Sequence, residues 1–283
     1  MNRTRRIASS IAAVSLTGVA LTACSSSDDS SSNTTGGVSA GSTLTIGSDL
    51  TYPPYAYLDG DTPAGFDPDL WKILGPELGV DYTFKDTRFE QLIPGLNSTH
   101  FDLISSALYI TSERAEQVDF IPYFSTGNAI ISRADSDTKP ATIEELCGLK
   151  VAVLKGSDIS NKLSTDGAEV CAEAGKDPIN VNDFPTDPEA TQALLAGQAD
   201  VEVTDTAVAS NIVSMQDALE VTSSELLYPV PVGMAVAKGN DDLKKTLEDG
   251  LEALKENGSY QELLNSYGLT EPTQAQLDEA LGN

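Results

Sequence analysis

From Thr43 onward, short apolar runs alternate with stretches whose apolar positions return every three to four residues. LTIGSD reads as a strand ending in a polar loop, and DPDLWKILGPELG as a helix opened by Asp67 with Pro68 at its first position. VDYTFKD returns as a strand and RFEQLIPGLNS as a short helix. FDLISSALYI, apolar almost throughout, predicts a buried strand, and TSERAEQVDF opens on a capping box at Thr111 or Ser112. This alternation predicts an α/β fold with a mainly parallel sheet.

The pattern then restarts. IEELCGLKVAVLKGSDISNKL predicts a helical turn, a strand, a glycine loop and a helix. NVNDF, DPEATQALLAGQADVEVTD and TAVASNIVSM continue as strand, helix, strand and helix. DDLKKTLEDGLEALKENGSYQELLNSYG closes the chain as an amphipathic helical pair. Two α/β lobes are therefore expected, the second inserted into the first. Lobe 1 comprises residues 43–127 and 233–283, lobe 2 residues 128–232, and a two-segment hinge crosses near 125–132 and 228–236. Sites in such sheets form beyond the carboxyl ends of strands, so two facing lobes make a cleft.

The first 42 residues follow another logic. Arg3, Arg5 and Arg6 precede an apolar run from Ile7 to Ala20, which predicts an export signal over residues 1–23. Leu21-Thr22-Ala23-Cys24 resembles a lipoprotein box, in which Cys24 becomes the acylated first residue; a plain signal ending near a cysteine is the alternative. Acyl chains at Cys24 would hold the protein at the outer face of the cell membrane, since more than one chain anchors durably. Residues 24–42 are rich in Ser, Gly, Thr and Asp and read as a flexible tether.

Charge narrows the partners. Loss of residues 1–23 leaves 14 basic against 43 acidic residues, a formal charge of −29. Such a chain is unsuited to nucleic acid, whose phosphates need Lys and Arg. Cys147 and Cys171 form an isolated pair, which in an exported protein predicts a disulfide; metal binding is the weaker alternative, since His100, the single histidine, lies far along the chain. Neither a Ser/His/Asp set nor a phosphate-cradling loop is apparent, and no cofactor is expected.

Seven motifs stand in order: YPPYAY, GFDPDLWK, FEQLIPGL, FDLISSALYITSERAEQVDFIPY, LCGLKVAVLKGS, ALLAGQADVEVTD and ENGSYQELLNSYGL. In these the chain resembles the family 3 extracellular solute-binding proteins, the amino-acid receptors of bacterial ABC importers, from about Leu44 to Leu269. The resemblance implies the bilobal periplasmic-binding-protein fold, type II. It implies a monomer without catalysis that captures a polar or basic amino acid and delivers it to the permease subunits in the membrane. A compact zwitterion such as ectoine is the alternative ligand. A dehydratase is the alternative activity, because a few are built on this fold.

The same resemblance assigns the site residue by residue. Arg114 matches the group that clasps the α-carboxylate, for which its planar fork is suited. Without the resemblance, a surface pair with a nearby glutamate would account for Arg114 equally well. Asp205 matches the acceptor of the α-ammonium, and Asp49, Tyr52 and Phe89 match the walls of the side-chain pocket. For Tyr52 and Phe89, plain core packing is the competing reading. Ser106 and Ser157 complete the expected ligand contacts. Two positions depart from the family pattern: Tyr109 stands where Ser or Thr is common, and Asp158 stands where Thr or Ser follows the glycine loop. A carboxylate there would repel an incoming carboxylate, so Asp158 either points away or meets a ligand cation.

Overall fold

The computed structural model describes residues 41–282, with the backbone of Thr34–Thr35 and Val38–Ser39. The expected signal segment 1–23, Cys24 and most of the tether lie outside the described residues. Thr34–Thr35 and Val38–Ser39 pair antiparallel.

A nine-stranded sheet organises the chain. At one end β1 (Thr43–Ser48) pairs in parallel with β5 (Asp81–Asp86) and β6 (Leu103–Tyr109). A small antiparallel sheet of β2 (Thr51–Tyr52), β3 (Ala56–Asp59) and β4 (Thr62–Ala64) follows β1. At the other end β8 (Lys150–Leu154) pairs in parallel with β9 (Asn180–Phe184) and β10 (Val201–Asp205). Two long strands join these wings: β7 (Val118–Arg133) and β12 (Leu227–Ala237), antiparallel to each other from Leu227↔Asn128 to Ala237↔Val118. β12 also pairs with β6, and β7 pairs with β10 and with β11 (Leu219–Val221). Both stretches read as crossings thus lie within strands that belong to both wings. The wings are parallel, as the alternation predicts, and the middle is antiparallel because the chain goes out along β7 and returns along β12.

Helices cover both wings. α1 (Phe66–Leu78) packs against α8 (Asp241–Glu256) and α9 (Ser259–Tyr267). Leu243, Leu247, Leu251 and Leu254 of α8 bury one face with Trp71 and Leu74 of α1, the amphipathic stripe expected of it. The second wing carries α4 (Asp158–Ser164), α5 (Asp166–Glu173), α6 (Asp187–Leu195) and α7 (Thr206–Met215). α2 (Leu92–Asn97) follows a 3₁₀ turn at Phe89–Gln91. The last helix, α10 (Gln274–Leu281), lies against β12. No helix among the described residues is long and apolar enough to cross a membrane.

Two local expectations change. α1 begins at Phe66 with Gly65 at its N-cap, so Asp67 does not open it. Gly65 has φ 106°, and a Cβ there would lie 2.5 Å from the Pro54 carbonyl oxygen, so backbone geometry alone sets the helix start. Asp67 turns inward and is fully buried. In TSERAEQVDF, Thr111 caps α3 (Ser112–Ala115) by accepting from the Arg114 N–H at 3.2 Å; no carboxylate follows in the reciprocal place, because the third helical residue is Arg114 itself. Cys147 and Cys171 are disulfide-bonded, with Cα atoms 5.6 Å apart. The bond ties the turn before β8 to α5, beside a core of Ile130, Val151, Val153 and Val203.

Candidate ligand site between the lobes

The carboxyl ends of β6 and β10 deliver Tyr109 and Asp205 to the gap between the wings. Asp205 is fully buried, ending β10 and capping α7 by accepting from the Ala207 N–H at 2.8 Å. Its other acceptor positions receive hydroxyls from the first wing, Tyr55 at 2.9 Å and Tyr109 at 2.7 Å. Burial raises the Asp205 pKa, and these hydrogen bonds oppose the rise. Tyr109, where a short hydroxyl is common in the family, thus has the length to span from one lobe to the other. Tyr52 spans it too: its hydroxyl lies 3.2 Å from Thr204 Oγ1 and accepts from the Asp205 N–H at 3.4 Å.

Arg114 sits where α3 meets the gap. Its Nη1 donates to the Tyr109 carbonyl at 2.9 Å, and its Nη2 to the Gly156 carbonyl of the opposite lobe at 3.0 Å. The guanidinium carbon lies 5.5 Å from the centre of the Phe89 ring. A guanidinium has five N–H donors, so further donors stay available to a carboxylate. Burial lowers the Arg114 pKa, and the negative charge of Asp158 opposes that fall. Gly156, with φ 76°, lets the lobes approach: a Cβ there would stand 3.0 Å from Glu90 Cβ. Next to it Lys155 pairs with Glu90 at 2.7 Å across the same gap.

A narrow cavity lies between these groups, about 350 Å³ of empty space when the solvent at its open mouth is included. Tyr52, Phe89, Tyr109, Arg114, Ser157 and Asp158 all line it, six of the nine expected ligand contacts. Ser157 also caps α4, accepting from the Ser160 N–H at 3.3 Å. Asp158 faces the cavity as the first residue of α4; burial raises its pKa, and Arg114 and Lys162 oppose the rise. The remaining three stand behind the lining. Asp49 accepts from Thr51 Oγ1 at 2.6 Å and the Phe89 N–H at 2.9 Å, and pairs with Arg88 at 3.1 Å. Ser106 accepts from the Asp49 N–H at 2.9 Å, and Asp205 is held by the tyrosines.

The sequence reading missed several contributors. Asn128 and Thr204 line the cavity, and Tyr55 reaches Asp205. Asp67 accepts from the Ser105 hydroxyl, the Ala107 N–H and the Tyr123 hydroxyl at 2.6, 3.1 and 2.9 Å. Those bonds secure a bulge in β6, where pairing with β12 shifts register and Ala107 holds φ 45° at the cavity wall. Tyr55 and Asp67 lie inside two of the quoted motifs, YPPYAY and GFDPDLWK, and were legible as polar residues in apolar settings. Among the described residues no group of three or more His, Cys, Asp or Glu is placed to hold a metal ion.

A cation donor fork, buried acceptors and aromatic walls, drawn from two lobes around one cavity, define a solute-binding protein. The chain belongs to the bacterial extracellular solute-binding proteins, family 3, whose model matches residues 44–270, and its fold is the bilobal type II periplasmic-binding-protein arrangement. It is 26% identical over 241 residues to the arginine-binding protein ArgT of Corynebacterium glutamicum, covering 85% of this chain and 78% of that one. Among solved structures it matches an ancestral arginine-binding protein bound to arginine, with TM-score 0.71 and 34% identity, covering 80% of this chain and 97% of that one. It also matches the ancestral amino acid-binding protein AncCDT-1, a precursor of cyclohexadienyl dehydratase, with TM-score 0.70 and 31% identity, covering 80% and 95%.

Proposed function

We propose that the protein is the amino-acid receptor of an ABC importer, tethered outside the cell membrane through acylated Cys24. It captures a polar or basic L-amino acid between its lobes and presents it to the permease. The observation that carries this reading is Arg114, the basic side chain lining the cavity, aimed from one lobe and hydrogen-bonded to Gly156 of the other. The ligand's carboxylate takes the remaining N–H donors of Arg114. Its ammonium takes Asp205, displacing a tyrosine hydroxyl that now donates there. Asp158, lining the cavity beside Arg114, favours a ligand that brings more positive than negative charge. The arginine-binding relatives fit that preference.

Binding without turnover is the activity proposed. Asp205 is matched to a group that recognises charge, Asp158 lies beside the Arg114 charge, and the dehydratase precursor among the neighbours is itself an amino acid-binding protein. A thermal-shift screen of the twenty amino acids, ectoine and small quaternary amines tests the reading. A ligand present at a hundred times its Kd stabilises a protein by about 2.7 kcal/mol. Stabilisation by arginine, lysine or a polar amino acid is expected. Stabilisation by ectoine or quaternary amines alone would favour the zwitterion reading, and none by any amino acid would overturn the proposal.

A further inference from the structure

The expected ligand contacts leave one set of buried polar groups unused. Asp187 begins α6 in the second lobe, 3% exposed, and accepts from the Thr204 hydroxyl at 2.7 Å. Thr204 has one proton, and Asp187 takes it. The hydroxyl contact between Thr204 and Tyr52, at 3.2 Å, therefore runs from Tyr52 as donor to Thr204 as acceptor. The Tyr52 oxygen in turn accepts from the Asp205 N–H. Proton order is thus set in one direction, from Asp205 N–H through Tyr52 and Thr204 to Asp187.

Tyr52 and Thr204 line the cavity. With both hydroxyl protons committed along the chain, this wall offers oxygen lone pairs to whatever occupies the cavity and no O–H donor. Around Asp187 the groups are acidic: Glu202, fully buried on the same strand as Thr204, accepts from Thr191 at 3.1 Å, its second oxygen has no hydrogen-bond partner, and burial raises its pKa and favours its neutral form. The buried carboxyls of Asp49 and Asp205 add to the field at Asp187. A cation in the cavity would favour the ionised form of Asp187, which is the better acceptor for Thr204.

From this geometry we infer that Asp187 is a specificity-determining residue: it orients the Thr204 and Tyr52 hydroxyls so that this wall accepts N–H donors and selects a cationic ligand side chain over a neutral one. Asp187 acts through Thr204 and is a positioning residue. The inference rests on the amino-acid reading above and narrows its ligand class to side chains rich in N–H donors and carrying positive charge.

The test is calorimetric titration of L-arginine and L-citrulline, which differ in carrying a guanidinium or a neutral ureido group. The wild-type protein should prefer arginine. Asp187→Ala should cut that preference about tenfold, the worth of one hydrogen bond to a charged group, while citrulline affinity changes about twofold or less. Thr204→Val should also cut the preference for arginine, with a smaller loss for citrulline because the accepting oxygen itself is removed, which guards against a folding defect peculiar to Asp187→Ala. Asp187→Asn should retain most of the preference, because its amide oxygen can still accept from Thr204. Equal losses for both ligands in the alanine and valine variants would overturn the inference, as would an Asn variant behaving like Ala. A wild-type protein that binds both without preference would sink this inference alone. One that binds neither, nor any other amino acid, would sink the amino-acid reading with it.

Discussion

Asp205 shows how much one carboxylate can carry. It accepts from a tyrosine in the turn between β2 and β3, a tyrosine of β6 and the first turn of α7, and so joins both lobes through a buried carboxyl. Hydrogen bonds to a charged group are worth about 1.5–3 kcal/mol each, and leaving such partners unpaired costs comparably. Asp205→Ala should therefore weaken amino-acid binding about 30-fold or more, the usual loss when one buried charged partner is removed. It should also loosen the lobes, because Tyr55 and Tyr109 lose their acceptor. X-ray scattering with saturating ligand checks the second effect: wild type should compact and Asp205→Ala should stay extended. Equal compaction would mean that the lobes are joined by other contacts, with Arg114 to Gly156 and Lys155 to Glu90 the first to examine.

At the scale of elements, the strands and helices follow the hydrophobic pattern closely, and departures have local causes. α8 is legible because its leucines fall on one stripe and its polar residues on the other. The start of α1 is not, because a positive-φ glycine outweighs the aspartate signal two residues later and frees Asp67 to brace the β6 bulge. VEVTD illustrates the harder case. Alternation marks Val201 and Val203 as core, so Glu202 and Thr204 look solvent-facing; yet α6 covers that face and buries both. Arg114 stands out because the chain has so few basic residues, whereas Thr204, Asn128 and Asp187 gain their places only when distant strands meet across the cleft. The disulfide yields an element-level prediction. Closing the 25-residue loop from Cys147 to Cys171 should stabilise the fold by about 3.5 kcal/mol on the chain-entropy account. Denaturant unfolding with and without reductant should show that difference, and coincident curves would contradict it.

For the whole molecule, buried carboxyls should shape the response to pH. Burial raises Asp67 from 3.8 to about 6 and raises Asp187, Glu202 and Asp205 in the same direction. A carboxyl with a raised folded pKa keeps its proton in the native state at pH values where the unfolded chain has lost it. Its contribution is therefore full below about 4 and is lost as pH rises through about 6. Asp67 alone should make the native state about 3 kcal/mol less stable at pH 7.5 than its protonated form would be, at about 1.4 kcal/mol per unit. Unfolding free energy without ligand should accordingly fall between pH 5 and pH 7.5. A rise across that interval would show that these carboxyls are better compensated than their burial implies.

Function at this scale depends on one event, the capture of an amino acid by groups from both lobes. A ligand shifts an equilibrium between lobe arrangements only by binding one of them better, and in the function proposed above the Arg114 and Asp205 contacts would supply that difference. The most direct measurement is calorimetric titration of L-arginine into the wild-type protein and into Arg114→Lys. Lysine keeps the charge but lacks the planar fork that can meet a carboxylate with two parallel hydrogen bonds. The account predicts one arginine bound per wild-type chain and about 30-fold or weaker binding by Arg114→Lys, a loss in the range of about 2–5 kcal/mol. Equal binding by the two proteins would contradict it, since the carboxylate would then be held elsewhere.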